Sequence, residues 1–206
     1  MKTQPDRSDS ELLQSMLAGE EEALVALYRR RQRGIYLFAL QMCGSPALAE
    51  DITQEVFMVL IREGNTFDPT RGSLSSFLFG VARNHMLRRL QRERFYAPMG
   101  ETPDNEAVPD QTISSSDGPL DELSRTETIE SVRKAVLALP ERYREVVVLC
   151  DLQEMSYAET AEVLGCAVGT VRSRLHRARR LLIEKLQPAR EENANEAAMK
   201  SARCFA

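Results

Sequence analysis

The stretch SYAETAEVLGCAVGTVRSRLHRARR, residues 156–180, decides how the chain is read. It opens on Ser156-x-x-Glu159, the spacing of a capping box, in which the Ser hydroxyl and the Glu carboxylate satisfy each other's backbone amides at a helix start. Ala158, Ala161 and Leu164 follow at helical spacing until Gly165, predicting a short helix and its stop. Cys166-Ala167-Val168-Gly169 reads as a tight turn, after which Val171, Leu175, Ala178 and Leu182 mark the inner face of a second helix. Two short helices so joined form a helix-turn-helix. Opposite the apolar stripe fall Arg172, Ser173, His176, Arg177 and Arg180. Arg can fork onto guanine O6 and N7 or pair with phosphate, Ser can bond a base edge or phosphate, and the helix fits the major groove. A solvated basic face is the plainer alternative. His176, with no carboxylate and Ser near it in the chain, is a poor catalytic candidate.

Working outward, residues 123–139 read as a helix, and Pro140 suits the first turn of another that carries Tyr143, Val146, Val147 and Leu149. Near the start, Ser8-x-x-Glu11 is a second capping box, ahead of Leu12, Leu13, Met16 and Leu17, with Gly19 as the stop. From Glu20 a helical period in Leu24, Leu27, Tyr28, Ile35, Phe38, Ala39 and Met42 runs to Gly44-Ser45-Pro46, which supplies stop, N-cap and first-turn Pro. The next helix, to about Glu63, turns Ile52, Val56, Val59 and Leu60 one way and Asp51, Gln54, Glu55 and Met58 another. After turn-rich residues 65–73, a long helix from about Leu74 to Phe95 carries Leu78, Val81, Ala82 and Leu87. The fold class is all-α.

The net charge of −4 over 206 residues argues at first against a nucleic-acid binder, but its distribution says otherwise. Residues 97–124 hold seven acids and no Lys or Arg, among several Pro and Gly and the run Ser114-Ser115-Ser116. Such a segment cannot bury enough to fold alone. The remainder is net positive, with Arg83, Arg88, Arg89, Arg92 and Arg94 crowding before this tether and Arg172, Arg174, Arg177, Arg179, Arg180 and Lys185 near the other end. The chain therefore divides into helical domains at 1–96 and 125–188, a flexible acidic linker at 97–124 and a tail at 189–206. A 43% hydrophobic composition supports a packed core, and the absence of Trp leaves it to Leu, Val, Ala and Met. No run approaches the roughly 18 apolar residues of a membrane span, and no apolar signal segment follows the polar start, so a cytoplasmic protein without membrane insertion is expected. Cys43, Cys150, Cys166 and Cys204 are widely separated, which suggests no metal site; the first three read as buried small hydrophobes.

Leu139-Pro140-Glu141-Arg142-Tyr143-Arg144-Glu145-Val146, Met155-Ser156-Tyr157-Ala158-Glu159 and Gly169-Thr170-Val171-Arg172-Ser173-Arg174-Leu175-His176-Arg177-Ala178-Arg179 resemble the sigma-4 domain of bacterial extracytoplasmic-function sigma factors. Ala26-Leu27-Tyr28, Ala49-Glu50-Asp51-Ile52-Thr53-Gln54-Glu55-Val56-Phe57 and Phe77-Leu78-Phe79-Gly80-Val81-Ala82-Arg83-Asn84 look like the sigma-2 domain of the same group. The resemblance implies a non-enzymatic initiation factor, without cofactor or metal, that brings core RNA polymerase to promoter DNA. It implies docking on the polymerase beta-prime clamp helices through Asp51, Gln54, Glu55 and Met58, a further contact with the beta flap, and usually an anti-sigma factor as partner.

For DNA, the resemblance implies that residues 65–73 and the following helix capture a base flipped from the minus-ten element. Asn84 would read it, with Phe67 as a stacking wall and Phe77 where relatives often carry Trp. Arg83, Arg88, Arg89 and Arg92 would hold phosphates beside the melted region. Arg172, Ser173, His176 and Arg177 would read the minus-thirty-five element, with Arg174 and Arg179 on phosphate or structure and Arg180 also among the DNA-binding residues of this helix. As a coil the 28-residue linker separates its ends by about 30 Å and reaches about 90 Å at most, whereas two helical turns of promoter span roughly 70 Å. Something must hold the domains apart, and the free protein is expected to bind promoter DNA weakly. Rival readings are a polymerase-independent helix-turn-helix regulator, a helical enzyme, for which no catalytic constellation appears, and a sigma-like scaffold that no longer reads DNA.

Overall fold

The computed structural model describes residues 7–96 and 119–203, with side chains for 7–92 and 128–186. Most of the acidic linker, the side chain of Arg94 and Cys204 lie outside the described residues. The described elements are helices α1 (Asp9–Leu17), α2 (Glu21–Cys43), α3 (Pro46–Glu63), α4 (Leu74–Tyr96), α5 (Pro119–Leu137), α6 (Glu141–Val147), α7 (Tyr157–Leu164) and α8 (Val168–Arg203). A short 3-10 turn, Gly64–Thr66, follows α3, and a π turn, Val148–Leu152, follows α6.

The caps form as the sequence dictates. Ser8 and Ser156 each accept from the amide three residues on, while Glu11 and Glu159 return the bond to the Ser amides at 2.7 and 3.0 Å. Gly44 ends α2 at φ 74°, a left-handed conformation costly for a residue with a Cβ, and Ser45 caps α3 ahead of Pro46. Two boundaries differ from expectation. Helix α5 starts at Pro119, inside the segment assigned to the linker, because Pro with Asp121 and Glu122 behind it suits a first turn. The helix-turn-helix turn is shorter than expected: left-handed Gly165 (φ 62°) reverses the chain so tightly that Val168 and Gly169 already belong to α8.

Helix α2 is the spine of the first half, packed on α1, α3 and α4, and its Leu27, Ile35, Phe38 and Met42 are essentially inaccessible. Each such side chain contributes about 1.5–3 kcal/mol relative to exposure. Phe38 meets Phe79 of α4 edge to face at 5.4 Å. In the second half α6 and α7 both pack on α8, burying Val146, Leu149, Leu164, Val171, Leu175 and Ala178. The cysteines expected in the core, Cys43, Cys150 and Cys166, are only half-buried, each sitting at a helix end or turn.

The two halves do not stand apart as coil statistics would place them. One apolar cluster runs from Leu12 to Ala178, and α4 packs on α7 while α2 meets α5 and α6. At this seam the Arg144 guanidinium donates to Met42 O at 2.5 Å, to Leu139 O at 3.1 Å and to Leu137 O, so one side chain satisfies carbonyls at the C-termini of both α2 and α5. Burial lowers the Arg144 pKa from its ordinary value. Nearby, Arg83 of α4 pairs with buried Glu145 of α6 at 2.5 Å. Replacing Arg144 with Met should lower the unfolding free energy by about 2–4 kcal/mol in urea denaturation, because it orphans three carbonyls at once; a change within experimental error would show that they are satisfied otherwise.

Candidate nucleic-acid interface

Two faces rich in arginine emerge from this framework, one in each half. On α8, burial of Val171, Leu175 and Ala178 against α6 and α7 turns Arg172, Ser173, His176, Arg177 and Arg180 to solvent. Arg174 is half-buried. The exposed side chains are oriented by neighbours that sequence spacing did not single out. Arg172 lies over the ring of Tyr157, 5.7 Å from its centroid, at the first turn of α7. Arg177 lies close enough to the Tyr143 hydroxyl to lower the phenol's pKa, and Arg142 covers the face of the same ring at 4.8 Å. Ser173 donates to Thr170 O at 3.0 Å, so its oxygen keeps acceptor capacity while its proton is engaged.

Arg179 behaves differently from its neighbours. Its guanidinium grips the Asp151 carboxylate in a fork at 2.6 and 3.1 Å, a bond that raises the Arg179 pKa and ties α8 to the π turn after α6. This partly exposed pair ties Arg179 to the π turn while leaving much of its side chain open to solvent. Arg180 makes only a long, exposed pairing with Glu184 one turn on, at 3.6 Å. Tyr157 carried a faint signal, an aromatic immediately after an N-cap; the Tyr143 and Asp151 pairings, across 34 and 28 residues, had none.

In the first half, Phe67 and Phe77 come together, ring centroids 5.6 Å apart, both packed against the core. The loop between them is ordered by its own side chains: Asp68 accepts from the Thr70 amide at 2.9 Å and hydroxyl at 2.7 Å, and Ser73 accepts from the Ser76 amide at 3.1 Å to start α4. The Thr70 bonds hold the Asp68 carboxyl below the usual carboxylate range. Along α4, Phe77, Asn84 and Arg88 share one face by helical spacing, and Asn84, Arg88, Arg89 and Arg92 are exposed. Arg83 departs from the expected open phosphate-holding position: it points across the seam to Glu145. On α3 the side chains of Asp51, Gln54, Glu55 and Met58 are all exposed, opposite buried Ala49, Ile52, Val56 and Leu60. Arg89 reaches to 3.8 Å from Asp51, joining the α3 and α4 faces. Ile61, also exposed, extends the apolar part of the α3 patch by one turn beyond Met58. Gln54 lines the rim of a groove of about 510 Å³ between α2 and α3, shared with Tyr28, Arg33, Tyr36 and Glu50.

Among the described residues no group of His, Cys, Asp or Glu is placed to hold a metal ion, and no helix is long and apolar enough to cross a membrane. The family model for Sigma-70 region 2 matches residues 27–96, and that for Sigma-70 region 4 matches residues 129–182. The chain is 30% identical over 172 residues to the ECF RNA polymerase sigma factor SigW of Bacillus subtilis, covering 82% of this chain and 91% of that one. It is 33% identical over 181 residues to the ECF RNA polymerase sigma factor SigM of Mycobacterium tuberculosis, covering 88% and 86%. Among solved structures, CnrH in complex with the cytosolic domain of CnrY superposes with a TM-score of 0.65 at 25% identity, over 88% of this chain and 99% of that one. The Tyr143 pairing gives a direct check of the α8 geometry: Arg177→Ala should raise the Tyr143 phenol pKa toward its ordinary value in an NMR titration of ring-labelled tyrosine, and an unmoved titration would mean that the two groups do not meet in solution.

Proposed function

Because the chain belongs to the extracytoplasmic-function group of the sigma-70 family, the factors that direct RNA polymerase to promoters, we propose a division of that work among its helices. Helix α8 reads the minus-thirty-five element in the major groove through Arg172, Ser173, His176 and Arg177, with Arg174 and Arg180 on backbone phosphate. The Phe67/Phe77 pair and Asn84 take a flipped minus-ten base, and Arg88, Arg89 and Arg92 hold the phosphates beside it. Helix α3 docks on the beta-prime clamp helices of core polymerase through Asp51, Gln54, Glu55 and Met58, and the second half contacts the beta flap. The observation that carries the α8 assignment is the burial of Val171, Leu175 and Ala178, which leaves the turn-proximal arginines on the single face a helix-turn-helix offers to DNA.

The chain supplies recognition and melting while the polymerase supplies the chemistry, so the protein is not itself an enzyme, and it works in the cytoplasm where its template lies. The domain boundaries follow the same reading: recognition of the minus-ten element in 1–96, of the minus-thirty-five element in 125–188. An anti-sigma factor belongs to this picture, supported by the similarity to CnrH, which is found bound to the cytosolic domain of CnrY.

Transcription in vitro with core RNA polymerase and a randomised promoter library tests the reading. Two enriched sequence blocks about two helical turns apart are expected, and transcription that does not depend on the chain would overturn it. Within the recovered promoter, Arg177→Ala should relax selection at one or two base pairs of the upstream block by about 1–3 kcal/mol; a uniform loss across sequences would reassign Arg177 to phosphate. Asn84→Ala should slow open-complex formation on duplex DNA while leaving upstream-block binding intact, and unchanged rates on duplex and on premelted templates would remove Asn84 from base capture.

A further inference from the structure

Helix α1 takes no part in the division of work proposed above, and it precedes residues 27–96, the segment matched by the Sigma-70 region 2 model. It nevertheless touches both feet of the loop that carries Phe67 between α3 and α4. At the first foot Gly64 is buried beneath α1, where a Cβ would stand 3.3 Å from Leu13 Cδ1 and 3.5 Å from Met16 Cε. Gly64 O accepts from the Phe67 amide at 3.2 Å, which carries this contact to the aromatic wall. At the second foot the carboxylate of Asp9, the first residue of α1, is divided between two guanidinium groups. Its Oδ1 accepts from Arg30 at 2.8 Å and its Oδ2 from Arg31 Nε at 2.6 Å, and the side chain is only 13% exposed. Arg31, so held, donates to the Ser75 hydroxyl at 3.4 Å in the first turn of α4.

We propose that α1 is a brace for this loop, with Asp9, Arg31 and Met16 as positioning residues that hold Phe67 at a fixed spacing from α4 for base capture. The inference rests on the functional reading above for what the loop captures, and on the contacts of α1 for how the loop is held. Residues 65–71, Phe67 excepted, are exposed. A segment with so little burial has low local stability, so its range of conformations is set where its ends are fixed. Base capture needs the Phe67 wall, on the loop, and the Asn84 amide, on α4, in register with each other. Fixing that register beforehand lowers the ordering cost of binding. The Asp9 bonds suit the task because they are charge-assisted and largely shielded from water, unlike a solvent-exposed ion pair. Every group in the brace belongs to the first half. Arg31 also lies near enough to Glu159 of α7 to feel its charge, so the test leaves Arg31 in place.

The full chain carries the test. Asp9→Asn keeps the shape of the side chain but leaves a single acceptor oxygen for two guanidinium groups. Ser75→Ala removes the far end of the relay, Met16→Ala loosens the other foot, and Glu21→Gln, at the exposed start of α2, controls for loss of an acid. Amide hydrogen exchange over residues 64–77 reports on the brace, and the rate of open-complex formation with core polymerase on the recovered promoter reports on its use. Asp9→Asn should speed exchange in this segment and slow opening roughly tenfold, the worth of about one charge-assisted hydrogen bond. Met16→Ala and Ser75→Ala should act in the same direction, and Ser75→Ala should add little to Asp9→Asn in the double variant. Polymerase affinity, exchange in α3 and the behaviour of Glu21→Gln should match the wild type. Wild-type exchange in the segment would overturn the brace. So would faster exchange throughout the first half together with weaker polymerase binding, the signature of general destabilisation. Faster loop exchange with wild-type opening, when Asn84→Ala does slow opening, would overturn the positioning role. Opening that is unchanged in Asn84→Ala would instead strike the functional reading, and the exchange result would still decide whether α1 braces the loop.

Discussion

A half-buried guanidinium in contact with helix-end carbonyls constrains the arrangement of the whole molecule. The last carbonyls of a helix have no partner within it, and α2 and α5 both pack on α6. Arg144 meets that demand with donors fixed in a planar fork, reaching Met42 from one helix and Leu137 and Leu139 from the other. Its carbonyl partners carry the negative ends of two helix dipoles, which offsets part of the cost of burying the cation. Since α6 in turn packs on α8, the attitude of α8 relative to the first half depends on this contact.

The electrostatics of the chain are organised by segment. Exposed arginines lie on α4 and α8, exposed acids on α3, and a third group of acids, Glu145, Glu159 and Glu162, sits at the seam. Glu159 has two tasks, since it closes the α7 capping box with Ser156 and accepts from Ser73 of the other half; its bonds to Ser156 are the main reason its carboxyl titrates below the usual range. A net charge of −4 is thus compatible with nucleic-acid binding, because the exposed arginines are gathered on particular helix faces instead of being spread evenly over the surface.

Much of the local structure was legible because it depends on neighbours in sequence. The capping boxes at Ser8 and Ser156, the stops at Gly44 and Gly165, and the apolar stripe of α8 were each carried by residues within one or two turns. Less legible was the turn between α6 and α7, where a π turn and the left-handed Glu154 (φ 54°) redirect the chain without a Gly or Pro to mark the place. The candidate site divides in the same way. Exposure of Arg172, His176 and Arg177 follows from periodicity, but the pairing of Arg177 with Tyr143, of Arg179 with Asp151 and of Arg83 with Glu145 joins residues 28 to 62 positions apart, and no spacing rule reaches that far.

By itself, then, the sequence determined the helices, their caps, the buried stripe of each and the residue types presented to solvent, because backbone periodicity and capping are set within a few residues. Tertiary structure alone decided which arginines are presented and which are engaged. Arg179 and Arg83 have the same chemistry as Arg172 and Arg88, and only the carboxylates of Asp151 and Glu145, delivered by packing from distant elements, tie the first two into ion pairs, although Arg179 stays exposed. The close apposition of the two halves belongs to the same category: it arises from a shared core and a half-buried guanidinium, which take effect only when residues remote in sequence come together.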